Sequence, residues 1–263
     1  MQNRHVLITG GSSGIGLALA RQSAAAGARV SLVARDPAKL AAAVASITSA
    51  TPVFIAPADV SVESEITAAI RAAEAVHGPV DILITSAGVA RPGYFSDLPA
   101  AVFERTMAVN FFGTLHAIKA VTPAMVARRR GSIAIISSGA GLVGLFGYTA
   151  YAPSKFALRG LAESLRAELK PAGVAVTIVY PPDTDTPQLV EENLTKPAET
   201  RALTAGAGLW TADAVARVTL KGIRNGSFSV TPGLPLTALS WFHSLCAPLL
   251  RRHFDRIAAR AKP

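Results

Sequence analysis

Three side chains near the middle of this chain have the types and spacing to move a proton at a bound oxygen. Tyr151 and Lys155 stand four residues apart, so on a helix both side chains leave one face toward one site. An ammonium beside a phenol stabilises the phenolate, which lowers the phenol's pKa and makes Tyr151 an acid or base usable near neutral pH. Ser138, just past a β-branched run, offers a hydroxyl that can hold a substrate oxygen. Each residue alone has a plainer role open to it: a serine in a turn, a half-buried tyrosine, a lysine on a wet face. Together, at the carboxyl end of one sheet, they point to a single acid–base site.

A second constellation lies at the start of the chain. Thr9-Gly10-Gly11-Ser12-Ser13-Gly14-Ile15-Gly16 follows a strand and opens a helix. Glycines at 10, 14 and 16 permit a tight turn, close approach of backbone to a phosphate, and close helix–strand packing. Free N–H groups and the helix dipole then favour the pyrophosphate of a dinucleotide, although a glycine turn without a ligand remains an alternative. The next strand ends Val33-Ala34-Arg35-Asp36. Ala34 stands where a carboxylate for the ribose hydroxyls is expected, and Arg35 suits a 2′-phosphate, so the pattern favours NADP(H) over NAD(H). The competing reading makes Arg35 a solvated charge and Asp36 the cap of the helix that starts at Pro37.

These residues need a scaffold, and the pattern around them supplies one. β-Branched runs at His5–Thr9, Arg29–Ala34, Pro52–Pro57, Val80–Ile84, Gly131–Ser137 and Val174–Val179 predict strands. Helices are expected near Gly14–Ala26, Pro37–Ser49, Val62–His77, Ala100–Arg129 and Thr149–Lys170, where Leu158, Leu161, Leu165 and Leu169 recur at helical spacing. Such alternation means an α/β fold, a doubly wound parallel sheet of Rossmann type with helices on both faces, in a single domain. A further helix near Thr211–Arg224 and a strand near Phe228–Val230 complete it. Pro181 to Gly208 lacks clear periodicity and reads as a long loop, of the kind that covers a site. The expected division is residues 1–232 as the cofactor-binding and catalytic domain, with 181–208 as a substrate lid, and 233–263 as an apolar then basic tail.

Composition limits what else the chain does. Half of the 263 residues are apolar and 16% are charged, which excludes disorder. The lone Cys246 excludes an intramolecular disulfide and a multi-cysteine metal site, suits a reducing compartment, and no metal is expected. The start MQNRHVLITGG has no apolar leader, and Leu234–Leu250, interrupted by Pro235, His243 and Pro248, falls short of a membrane span. The expectation is therefore a cytoplasmic protein. A net charge of +9 allows attraction to anionic lipid, nucleic acid or a phosphate-bearing cofactor. Nucleic acid is disfavoured, because no recognised motif or aromatic–basic interleaving accompanies the charge.

TGGSSGIG at 9–16, SSGAG at 137–141 and YAPSK at 151–155 resemble the glycine motif, catalytic serine and YxxxK pair of the short-chain dehydrogenases/reductases. The resemblance runs from about residue 4 to residue 232. It implies that Tyr151 donates a proton to a carbonyl oxygen, Lys155 bonds the nicotinamide ribose, and Ser138 polarises the carbonyl. It implies also that Asn110, in VNFFG, supports a water-linked proton path, and that Asp59, in the ADV run with Val60, contacts adenine. The cofactor contacts it implies are Gly10, Ser12, Ser13, Gly14, Ile15, Gly16, Arg35, Asp59, Val60, Ala87, Gly88, Tyr151, Lys155, Pro181, Thr184 and Thr186, the two threonines flanking the nicotinamide amide and phosphate. A homo-oligomer, dimer or tetramer, is expected on the same ground.

Two departures narrow the reading. The family's Asn-Asn-Ala-Gly is Thr85-Ser86-Ala87-Gly88 here, so that turn must be held by other groups. The usual Pro-Gly is Pro181-Pro182, whose missing N–H and fixed φ demand a different turn. The segment YPPDTDTPQLVEENLTKPAETRAL is similar to that of 3-ketodihydrosphingosine reductases, which reduce the keto group of a long-chain sphingoid base with NADPH. The alternatives are another apolar carbonyl, such as a steroid or 3-oxoacyl chain, or a silent NADP(H)-binding sensor. Glu191 and Glu192 either meet a substrate ammonium or are solvated and cap a helical turn. A lipid substrate also gives the tail a role: Arg252, Arg256 and Arg260 share one helical face, next to an apolar stretch with Trp241 and Phe242, as in helices that lie on anionic membranes. The competing role is cover for the substrate cleft or an oligomer contact.

Overall fold

The computed structural model of the chain describes residues 1–205 and 208–261. The expected lid and tail therefore each include residues outside the description, 206–207 and 262–263. The strands are β1 (His5–Thr9), β2 (Arg29–Ala34), β3 (Phe54–Pro57), β4 (Ile82–Thr85), β5 (Gly131–Ile136) and β6 (Val174–Val179). The helices between them are α1 (Gly14–Ala25), α2 (Pro37–Ala45), α3 (Glu63–His77), α4 (Ala100–Met107), α5 (Gly113–Ala127) and α6 (Tyr151–Leu169). Beyond β6 come a short β7 (Thr184–Asp185), α7 (Pro187–Thr195), α8 (Ala198–Thr204), β8 (Trp210–Thr211), α9 (Ala212–Arg224), β9 (Ser229–Val230) and α10 (Leu234–Ala261).

Seven strands form one parallel sheet in the order β3-β2-β1-β4-β5-β6-β9. The two-residue period of a strand divides the core. Val6 and Ile8 turn to the face covered by α1, α2 and α9, where Leu19, Leu40 and Ile223 are buried. Leu7 turns to the other, against Ile70 of α3, Ile118 of α5 and Leu158 of α6. Each such aliphatic side chain withdrawn from water stabilises the fold by about 1.5–3 kcal/mol. The chain reverses its winding direction between β1 and β4, and a crevice opens there beyond the carboxyl ends of the strands.

The structure corrects two sequence expectations and extends a third. The helix expected over Ala100–Arg129 is broken by a π-helical turn at Ala108–Phe112, where the Gly113 N–H reaches back to the Ala108 carbonyl. The long loop over Pro181–Gly208 contains two helices: Thr186 caps α7 by accepting from the Leu189 N–H, with Pro187 in the first turn, and Pro197 precedes α8. The tail is one helix from Leu234 to Ala261, because Pro235 sits in the first turn, where its N–H is not required, and the helix runs through Pro248.

At the opposite end of the sheet His5 is fully buried, with Nδ1 2.6 Å from the Gly78 carbonyl oxygen and Nε2 2.8 Å from Ser31 Oγ. Burial lowers its pKa to about 4, outweighing the bond to the Gly78 carbonyl that would raise it. The unfolded chain then binds a proton on His5 more readily than the folded one between pH 6.5 and pH 4, so stability falls as pH drops through that window. The expected contribution is a loss of about 2 kcal/mol between pH 7 and pH 5. Urea unfolding at the two pH values measures it, and His5→Asn should flatten the dependence; an unchanged slope would assign it to other groups.

Candidate active site

The crevice is a cleft of about 600 Å³ that runs from the start of α1 to the inner face of α10. Gly10 lies at its floor with φ +69°, and a Cβ there would come within 2.6 Å of the Ala87 nitrogen. A Cβ on Gly16 would collide with the Gly10 carbonyl, so this turn closes only with glycine at both positions. Ser13 starts α1 without a side-chain cap, which leaves first-turn N–H groups unpaired beside the cleft. Ser12, Gly14 and Ile15 line the same wall. A glycine-only turn and an uncapped helix start together fit a dinucleotide pyrophosphate.

Past β2, Arg35 lines the cleft while Asp36 Oδ1 accepts from the N–H groups of Ala38 and Lys39. That carboxylate caps α2, as its alternative reading had it. Lys39, one turn into α2, lines the cleft with Arg35 and makes a second cation at that end. Asp59 and Val60 lie alongside. Burial would raise the Asp59 pKa, but hydrogen bonds from Ser61 and the Arg105 guanidinium, 2.9 Å away, bring it down to about 2.

Asn110 does not line the cleft. It lies fully buried in the π-helical turn, where its Nδ2 donates to the Val89 carbonyl and Ser154 Oγ, and its Oδ1 accepts from the Val89 N–H. Those bonds hold the turn after β4, doing the work that the missing asparagine amides would do. Gly88 stays close to Lys155: a Cβ on it would be 3.7 Å from Nζ. The twin proline is accommodated by its carbonyls: Pro181 accepts from the Gly139 N–H at 2.9 Å and Pro182 from Thr184 Oγ1 at 2.8 Å. Pro181, Thr184 and Thr186 all line the cleft.

Tyr151 and Lys155 occupy the first turns of α6, with Nζ 5.4 Å from the phenol ring centroid, and Ser138 lines the cleft beside them. Ser138 itself heads a tight turn, its Oγ accepting from the Ala140 N–H. Lys155 is almost wholly buried and donates to the Ile136 carbonyl. Desolvation lowers its pKa to about 8, against a raising influence from Glu192. The expectation of a depressed phenol pKa is overturned: burial, then the charge of Glu192, pushes Tyr151 up, and the lowering influence of the nearby Ser138 and Gln188 recovers only part. The phenol therefore holds its proton across the neutral range, the form that can protonate an oxygen.

The far end of the cleft is apolar. Leu236, Leu239, Leu250 and Phe254 of α10 line it with Leu203 of α8. Tyr148 donates to Glu192 at 2.8 Å, Tyr94 to Glu199 at 3.1 Å, and Thr200 to the Phe146 carbonyl, bonds that tie α7 and α8 to the segment before α6 and to Tyr94. Sequence reasoning missed Lys39, Tyr148 and Gln188 as cleft residues, while its alternative for the tail, cover for the cleft, fits the inner face of α10. The spacing of Gln188 and Glu192, four apart like Tyr151 and Lys155, was the available signal.

Comparison with known proteins agrees with this geometry. The model of the short chain dehydrogenase family matches residues 4–197. The 3-dehydrosphinganine reductase of Danio rerio is 42% identical over 239 residues, 89% of this chain and 72% of that protein. The 3-ketodihydrosphingosine reductase of Bos taurus is 44% identical over 235 residues, 87% and 71% of the two chains. Among solved structures, a short chain dehydrogenase/reductase from Burkholderia phymatum in complex with NAD superposes with TM-score 0.85 at 25% identity, covering 95% of each chain. The chain belongs to the short-chain dehydrogenase family, as an oxidoreductase that acts at a keto or hydroxyl group with a nicotinamide cofactor.

Proposed function

We propose that this protein uses NADPH to reduce the keto group of 3-ketosphinganine to sphinganine. The observation that carries the substrate is the cleft itself: Ser138, Tyr151 and Lys155 stand between a phosphate-fitting glycine turn and an apolar end walled by α10, the shape for a polar ketone on a long alkyl chain. The relatives above bear the names of enzymes for that substrate. In this reading Ser138 holds the carbonyl oxygen and Tyr151 gives it a proton, while Lys155 holds the nicotinamide ribose. The cofactor supplies the hydride for the carbonyl carbon. Gly10, Ser12, Ser13, Gly14, Ile15 and Gly16 hold its pyrophosphate, Asp59 and Val60 the adenine, and Ala87 and Gly88 the adjoining sugar. Pro181, Thr184 and Thr186 border the nicotinamide. Asn110 acts through its main chain, since both side-chain amide hydrogens are engaged. Following NADPH oxidation with purified protein, 3-ketosphinganine and a 3-oxoacyl thioester side by side tests the reading; turnover of the thioester alone would replace it.

The preference for NADPH rests on Arg35 and Lys39, the two cations at the adenosine end, with Asp36 occupied as a cap. Arg35→Ala should weaken NADPH by about 10–150-fold more than NADH, the worth of one charge-assisted bond to phosphate. Cofactor titration by fluorescence measures both, and equal losses would make Arg35 structural.

We infer further that the chain pairs into a homo-oligomer through α5 and α6, on which Val126 and Phe156 lie exposed. Among the described residues no helix is long and apolar enough to cross a membrane. The outer face of α10 instead suits peripheral contact with an anionic lipid surface. It exposes Trp241, Leu245 and Leu249, and Arg252 and Arg256 continue the same stripe.

A further inference from the structure

Glu192 is a buried acidic group at the centre of the site to which the proton-transfer chemistry gives no role. It lies on α7, 7% exposed, on the wall of the cleft. Tyr148 donates to its Oε2 and Gln188 to its Oε1, both at 2.8 Å. A carboxylate can accept about four hydrogen bonds, so these two fix its orientation and leave room for more. Charges withdrawn from water are normally paired, yet among the described residues Glu192 takes part in no ion pair within 4.0 Å. The nearby Lys196 is engaged with Asp183 instead. Lys155, whose ammonium feels the charge of Glu192, donates to the Ile136 carbonyl, so a cation in direct contact with Glu192 would enter from the cleft.

That place adjoins the reacting oxygen. The Tyr148 and Tyr151 rings are 5.5 Å apart, and Gln188, which donates to Glu192, lines the cleft with Tyr151. We propose that Glu192, held by Tyr148 and Gln188, is the anchor for a primary ammonium on the carbon next to the carbonyl, so that the site selects α-amino ketones over plain ketones. The inference rests on the 3-ketosphinganine reading and sharpens it, because the amine of that substrate sits one carbon from its ketone. A steroid or 3-oxoacyl ketone has no such cation and would leave the buried carboxylate unpaired, which is selection by an unfavourable contact as well as a favourable one. The charge of Glu192 is also felt at Tyr151, where it helps to hold the phenol protonated. Pairing it with an ammonium therefore eases release of the proton when the amine-bearing substrate is bound.

The test is steady-state reduction of 3-ketosphinganine and of the same-length 1-hydroxy-3-ketone lacking the amine, by the wild type and by Glu192→Gln, with NADPH binding as the folding control. The wild type should favour the amine in kcat/KM by about 10–150-fold, mainly through KM, the worth of one charge-assisted bond. The variant should reduce that ratio to a few-fold. A wild type indifferent to the amine overturns the inference without need of the variant, and so does a variant that keeps the wild-type ratio. In both cases turnover of 3-ketosphinganine leaves the proposed function standing. If the wild type reduces neither long-chain ketone, the proposed function falls and the inference falls with it.

Discussion

Replacing Tyr151 with phenylalanine is expected to lower kcat by about 10²–10⁴-fold while leaving nicotinamide cofactor affinity nearly unchanged, the loss typical of removing a general acid. The change deletes one oxygen. The phenylalanine ring keeps its packing against Tyr148, 5.5 Å away, and its place in the first turn of α6. What it loses is the phenol proton, in the cleft that Tyr151 shares with Ser138 and Gln188. Because burial and Glu192 raise the phenol pKa, the proton is present at every pH from acid to neutral. The charge on Lys155 is the group that titrates near the working range. With its pKa lowered to about 8, the ammonium is charged below that value and neutral above it, so reduction should decline on the alkaline side of pH 8. Single-turnover rates across pH measure both effects. A Tyr151→Phe variant retaining more than a tenth of the wild-type kcat would remove Tyr151 as the proton donor.

The residues of this site were readable in the sequence for a physical reason. Glycine at 10 and 16 is dictated by contacts with Ala87 and with Gly10 itself, and the Tyr151/Lys155 pair by one helical turn. Strands β1, β2 and β6 were legible end to end because their apolar runs are buried on both faces, whereas β3 and β4 begin two residues later than their apolar runs. The depressed phenol pKa was misread because spacing reveals the ammonium and not the burial, and burial prevails at Tyr151. The break in the helix at Asn110 has no local signature, since it follows from three side-chain bonds to Val89 and Ser154, distant in sequence. Helices α7 and α8 were hidden by their prolines, which begin helices here and do not end them. Reading Gln188 and Glu192 as one helical face would have brought the cleft wall into view.

The second large effect is expected at the C-terminus, where replacing Arg252, Arg256 and Arg260 with glutamine should weaken binding to anionic vesicles by about 10²-fold, at about 1 kcal/mol for each basic residue near the surface. The helix α10 has two faces, one lining the cleft and one exposed. Its inner face, with Leu236, Leu239, Leu250 and Phe254, walls the apolar end of the cleft, and Ala247 is buried beneath it. Its outer face exposes large apolar side chains that no part of the described chain covers: Trp241 and Leu245 at 79% and Leu249 at 69%. The same stripe becomes basic at Arg252 and Arg256, so one side of a single helix carries an exposed apolar half and a cationic half, the pattern on which the proposed lipid contact rests. The residues that line the cleft are on the inner face, and the proposed lipid contact would use the outer one. The arginine substitutions touch only the outer face, and they should raise the apparent KM for vesicle-borne substrate while leaving turnover of a short soluble ketone close to wild type. Trp241→Ala and Leu245→Ala should release the protein in the same way but with weaker salt dependence, because they remove apolar contact in place of charge. Vesicle co-sedimentation across a salt series, paired with both assays, separates these outcomes. A wild-type protein that fails to sediment with anionic vesicles even at low salt would assign the exposed stripe to another copy of this chain, and analytical ultracentrifugation of the Trp241→Ala protein would then show a smaller assembly.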